Sequence, residues 1–144
     1  MAQYDVTSGV TSSNLALNND IMNVYDGGTA DRIKVNELGN LYIYRGGTAR
    51  NTTVNAGGTM VVSSGGKLTG RMTFAPGASV NVESGSILDF DLTRTTPGAD
   101  ALLNDYMFIG MAASPSFTLT VSSSVADGNY RLAEMVETLK NKRF

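Results

Sequence analysis

The chain has no cysteine, no histidine and no tryptophan. Without cysteine there are no disulfides, no thiolate metal sites and no cysteine nucleophile. Without histidine the commonest general base and the commonest metal ligand are gone. Charge is also scarce: 17% of residues are charged, against roughly 25% in an ordinary soluble domain. Eleven basic residues face thirteen acidic ones, for a net charge of −2. That balance leaves no basic excess to draw in phosphate backbones, so nucleic acid is not expected as a partner. No apolar run reaches the roughly 18 residues of a membrane span. The opening Met1-Ala2-Gln3-Tyr4-Asp5 has no basic stretch leading into an apolar one, so no signal peptide is read there. Two expectations remain open: a cytoplasmic protein, or an excised piece of a secreted one.

What the chain does have is hydrophobic content of 42% within 144 residues, enough for a core in one domain. It also has a repeat. Gly27-Gly28-Thr29-Ala30 returns nineteen residues later as Gly46-Gly47-Thr48-Ala49, and again as Gly65-Gly66-Lys67-Leu68. A period of this length marks one coil of a stacked architecture. Aligned coils run from Val10 to Thr29, Ala30 to Thr48, Ala49 to Lys67 and Leu68 to Ile87, the first and last slightly longer than the middle two. Apolar columns follow: Leu15, Val35, Val54 and Phe74; Met22, Leu41, Met60 and Val80; Val24, Ile43, Val62 and Val82; and Val10, Ala30, Ala49, Leu68 and Leu88. Gly27, Gly46, Gly65 and Gly85 form a column of turns.

Within Leu41-Tyr42-Ile43-Tyr44, the first and third residues match core columns and the other two do not. Such alternation is the signature of a strand with one buried face. A coil of this length cannot bury its own apolar face, but stacked coils can. The reading is an all-β chain whose residues 10–93 form a parallel β-helix, with residues 1–93 as its solenoid unit. An antiparallel β-sandwich with coincidental spacing is the alternative.

The outward columns place Tyr25 over Tyr44, with Tyr42 beside them, either as ordinary cross-strand stacking or as an exposed strip that binds glycan or protein. Asn36 and Asn55 form a step, and Asp26 and Arg45 share a column as an expected exposed ion pair. After Leu92 the register is lost. Thr93–Gly98 reads as a linker, Ala101–Asn104 as a helical turn, and Tyr106–Ile109, Phe117–Val121 and Asn129–Leu132 as strands. Residues 94–144 are expected to form a cap or irregular continuation, ending in a short helix over 133–144, where Leu132, Met135, Val136 and Leu139 have helical spacing.

Catalytic constellations are thin. Asp89 and Asp91 share a strand face and could act as a carboxylate pair in polysaccharide hydrolysis; the alternative is a solvated face. Gly27-Gly28-Thr29-Ala30-Asp31 resembles one step of a calcium-binding repeat, but the other copies lack the aspartate. No phosphate-binding glycine motif is present, and no cofactor or metal is expected. Ser and Thr populate turns and outward positions, as at Thr52, Thr53, Ser63 and Ser64, and Asn51-Thr52-Thr53 is formally a glycosylation sequon.

The segment Gly46–Gly66 resembles the AIDA-type repeat of bacterial autotransporter passengers, and the likeness extends over residues 10–68. Coil four is looser, with Ala75-Pro76-Gly77-Ala78 at the turn. Gly85–Leu92 and Thr118–Val121 resemble the segment that often follows such arrays. The resemblance implies a right-handed parallel β-helix on a Gram-negative cell surface, or secreted, acting in adhesion, autoaggregation or biofilm growth. In some members, sugars are added to Ser or Thr. The expected function is a non-enzymatic adhesive module whose partners are copies of itself, surface glycans or proteins, through Tyr25, Tyr42, Tyr44, Asp26 and Arg45. The competing expectations are a β-helical polysaccharide-degrading enzyme and a ligand-free stalk.

Overall fold

A computed structural model of the chain describes residues 1–91, 109–110 and 116–120, with side chains described through Asp89. It is a β-solenoid built from three parallel sheets. The first sheet stacks Gln3–Val6, Ile21–Val24, Asn40–Ile43, Thr59–Val62, Ser79–Val82 and Ile109–Gly110. The second stacks Thr11–Ser13, Thr29–Asp31, Thr48–Arg50, Lys67–Thr69, Ile87–Asp91 and Ser116–Thr120. The third holds Ala16–Leu17, Lys34–Val35, Thr53–Val54 and Thr73–Phe74. Every pairing is parallel, which excludes the sandwich. The helix expected over 133–144, the turn at 101–104, the linker and the strand at 129–132 lie outside the described residues.

Side chains that alternate along each strand fill the interior. Tyr4, Met22, Leu41, Met60 and Val80 are in one register, and Val6, Val24, Ile43, Val62 and Val82 in the next. Apart from the half-buried Tyr4 at the end, all are buried. The two remaining core columns need correction in the first coil. Ser12, not Val10, aligns with Ala30, and Val10 is 45% exposed. Leu17, not Leu15, aligns with Val35 and is fully buried. The first coil is also shorter than expected: eighteen residues separate Leu17 from Val35, against nineteen between Val35 and Val54. The missing residue falls in the turn after Leu17, since Ile21 already pairs with Asn40. Reading that coil as longer than the middle two, when it is shorter, therefore misplaces its first half.

Two further described strands join the stack: Ile109 pairs with Val80 and Phe117 with Leu88, each twenty-nine residues further along the chain.

Polar ladders reinforce the register. The Asn55 amide donates to Asn36 Oδ1 at 2.7 Å, and the Asn36 amide donates to Asn18 Oδ1 at 2.8 Å. The expected Asn step thus spans three asparagines joined by two rungs, and ends where Ala75 takes the position. A rung contributes about 1 kcal/mol net, whereas burying one Leu or Ile side chain contributes about 1.5–3 kcal/mol. The apolar columns set the register and the ladder pins it.

The glycine turns are needed for two separate reasons. Gly46 has φ +80° and lies under the Asp26 side chain of the preceding coil. Gly47 has an ordinary φ, but a Cβ there would come within 2.5 Å of the Val24 carbonyl oxygen. Gly47→Ala is expected to cost about 2–4 kcal/mol through backbone collision. Gly9→Ala, at φ +78° with nothing within 4 Å, should cost about 1–2 kcal/mol from φ alone. Thermal unfolding followed by circular dichroism compares them, and an equal loss in both would show that coil contact is not the constraint at Gly47.

Candidate functional site: the tyrosine strip

The strip follows from strand alternation. Leu41 and Ile43 point inward, which turns Tyr42 and Tyr44 outward. The backbone of Tyr44 bonds to Val24 and that of Tyr25 to Val6, so both tyrosines open the same turn in successive coils. Their rings stack at 5.2 Å between centroids and 7° between planes. Parallel-strand spacing of about 4.8 Å sets that distance, and such a pair adds about 0.5–1.5 kcal/mol beyond its buried area. Tyr42 lies against Tyr44 at 6.5 Å and 26°. Tyr25 and Tyr44 remain 39% and 38% exposed, so the cluster is available to a partner.

A polar group not identified from the sequence accompanies the rings. Asp5, Asn23 and Tyr42 share a column one step inside the strand. Asp5 accepts from the Asn23 amide at 3.0 Å and from the Gln3 amide at 3.1 Å. The Tyr44 hydroxyl makes a long contact, 3.4 Å, to Asn23 Oδ1. The Tyr25 phenol is held above its ordinary pKa, first by lost hydration, then by the Asp5 charge, by Tyr44 and by a hydrogen bond to Asp5. The offset of two residues before Tyr25 and Tyr44 was a usable signal for Asn23 and Tyr42. Asp5 was hidden because its coil precedes the recognisable repeats. Aromatic edges beside a carboxylate and amides suit a partner that is itself part apolar and part hydrogen-bonding.

Asp26 and Arg45 do share a column, but they form no ion pair. Asp26 folds over Gly46 and Arg45 over Gly65, so both lean the same way along the axis. The ion pairs among described residues gather instead on Asp31. Arg50 Nε lies 3.2 Å from it, Arg32 Nε lies 4.0 Å away, and the Asn51 amide donates at 3.3 Å. Burial pushes the Asp31 pKa up, but the bonds from Arg50 and Asn51 and the two arginine charges outweigh it, and the net shift is downward. This engagement also takes up the only aspartate of the calcium-like pattern. Asn51 uses its other end to accept from the Arg71 backbone at 2.9 Å, which stitches in the extra residue between Thr69 and Thr73. The sequon asparagine is thus occupied at both ends, and Thr52, expected outward, is fully buried in the level of Ile33 and Met72. Asp89 is buried and accepts from Thr69 Oγ1 at 2.6 Å. The side chain of Asp91 lies outside the described residues.

With the fold in place, comparison with known families becomes informative. Residues 23–75 match the family described as adhesin of bacterial autotransporter system, probable stalk. Among solved structures, the chain is similar to the crystal structure of a TibC-catalysed hyper-glycosylated TibA fragment, with 23% identity and a TM-score of 0.49. The match covers 81% of this chain, which spans 38% of that one. Comparison with curated protein sequences gives no match.

Two expectations concern the titratable groups. Asp20 is also held below its ordinary pKa, by backbone hydrogen bonds from Ala2 and Asn18. For Asp20 and Asp31 alike, the stabilisation is complete above the unfolded carboxylate pKa of about 3.9. It is lost as pH falls through the lower folded values. Asp31→Asn should therefore flatten the acid limb of a melting-temperature profile below that pH; an unchanged acid limb would contradict the Asp31 network. In an alkaline absorbance titration the Tyr25 phenol should ionise above the ordinary tyrosine range, and Tyr25→Phe should remove that late component.

Proposed function

We propose that this chain is a passenger segment of an autotransporter-type adhesin at the bacterial surface, acting without catalysis in adhesion or self-association. The observation that carries the proposal is the outward Tyr25–Tyr44–Tyr42 cluster on a solenoid whose coils match an adhesin stalk. The solenoid supplies rigidity because every coil is locked to its neighbours by backbone ladders. Contacts repeated along a rod sum through multivalency. The non-enzymatic reading is supported by Asp89, whose carboxylate is buried and held by Thr69 and so not presented to a substrate. Sugars on Ser or Thr belong to the same proposal: Ser64, Thr73 and Ser79 are exposed, whereas Thr52 is not.

A stalk role is the second reading, and a specific observation favours it. In the Tyr25 and Tyr44 column, the next two coils carry Ser63 and Glu83, so the aromatic strip is only two coils tall.

Replacing Tyr25, Tyr42 and Tyr44 by Ser separates the two. The adhesive reading expects about a tenfold or greater loss of glycan or cell–cell binding, the scale of removing clustered aromatic anchors, with the β-sheet dichroism spectrum retained. Binding that survives in a folded triple variant would sink the strip as the adhesive surface, and a wild-type chain that binds neither glycan nor cells would leave only the stalk.

A further inference from the structure

The described charges are sorted by face. Sheet one and its two flanking turns carry Asp5, Asp20, Asp26, Glu37 and Glu83, with Arg45 as the single cation among described side chains. The second and third sheets and the corner between them carry Arg32, Lys34, Arg50, Lys67 and Arg71. Among described side chains, the two acids on that side, Asp31 and Asp89, are both buried. In a three-sided coil, the corner between sheets two and three lies opposite sheet one. The solenoid is therefore acidic and aromatic on one side and basic on the other. The net charge of −2 for the whole chain conceals this division.

The basic edge is available. Lys34 and Arg71 are exposed, and Arg32 and Arg50 keep 55% and 45% of their side-chain surface exposed even beside Asp31. On the opposite side Tyr25, Asp26, Glu37 and Tyr44 are exposed. Arg and Lys heads are suited to tyrosine faces beside a carboxylate, and here the carboxylate at the rings is Asp5, whose direct hydrogen-bond partners are neutral.

We infer that the partner of the acidic aromatic face is the basic edge of a second copy of this chain. The contact is lateral, between rods lying side by side. It is also heterologous, since one copy contributes its face and the other its edge. A two-fold dimer would use the same patch on both subunits; a face-to-edge contact leaves one face and one edge free, so association propagates. Each exposed charge pair is weak and screened by salt. The contact gains from the regular spacing of charges along the axis, and it weakens as ionic strength rises. This deepens the self-association part of the proposed function and rests on it.

The test is a charge-reversal cycle in the full chain, read by sedimentation velocity. An edge variant carries Lys34→Glu with Arg71→Glu, and a face variant carries Asp26→Lys with Glu37→Lys. All four side chains are exposed, and dichroism checks the fold of each. The wild-type chain should associate at low salt, and its association should weaken by about tenfold or more at high salt. Each variant alone should remain monomeric, because its face and edge now have like charge. An equimolar mixture should associate again, because the two variants are complementary in both directions. Variants that associate as the wild type does, a mixture that stays monomeric, or a wild-type chain that never associates would each overturn the inference. The tyrosine variant keeps the two proposals distinguishable. If it retains adhesion while the charge cycle behaves as stated, the adhesive strip fails and the lateral contact stands. If it loses adhesion while the charge variants still associate, the reverse holds.

Discussion

The axial hydrogen-bond ladder between coils is the constraint on which everything else depends. Each coil has two or three short strands, and a strand of two residues such as Lys34–Val35 has no stability of its own. Paired above and below at the same register, it becomes one rung of a continuous sheet. The ladder forces like positions to stack, and stacking turns a sequence column into a physical object. Leu41 on Met60 is core, Asn55 on Asn36 is an amide chain, and Tyr25 on Tyr44 is an aromatic stack. Gly47 is required for the same reason, because the preceding coil passes too close for any side chain.

That constraint also makes the protein a device for repetition. A favourable outward residue can recur at each coil without disturbing the interior, because alternation separates the two faces. The tyrosine strip and the division of charge between faces are both products of this separation. Neither needs a pocket. A surface of this kind can meet a partner through many modest contacts spread along the axis.

Errors in the sequence reading arose where the period changes. The columns through Met22, Leu41, Met60 and Val80 were legible because the middle coils keep constant length. Val10 and Leu15 are misplaced by two residues because the first coil reads as one residue longer than the middle two, whereas one residue is missing from the turn after Leu17. Thr52 was read as outward from its polarity, although it stands at a core level where its hydroxyl bonds to the Arg50 carbonyl at 3.4 Å. The Asp26–Arg45 pair was correct as a column and wrong as a contact. Sharing a column sets Cα neighbours; the direction in which a long side chain leans depends on the space above the next glycine.

The sequence by itself determined the architecture. A nineteen-residue period with apolar residues alternating at fixed columns admits few structures other than stacked parallel coils, because only stacking buries those columns. It also determined that Tyr42 and Tyr44 face outward, since alternation leaves them no other side. Only the tertiary structure decided which polar groups meet. Asp5 reaches Asn23 and Tyr25, and Asp31 gathers Arg50 and Asn51, across gaps of about one coil. The sorting of charge onto opposite faces belongs to the same level. Such encounters depend on turn lengths and side-chain direction within the folded stack.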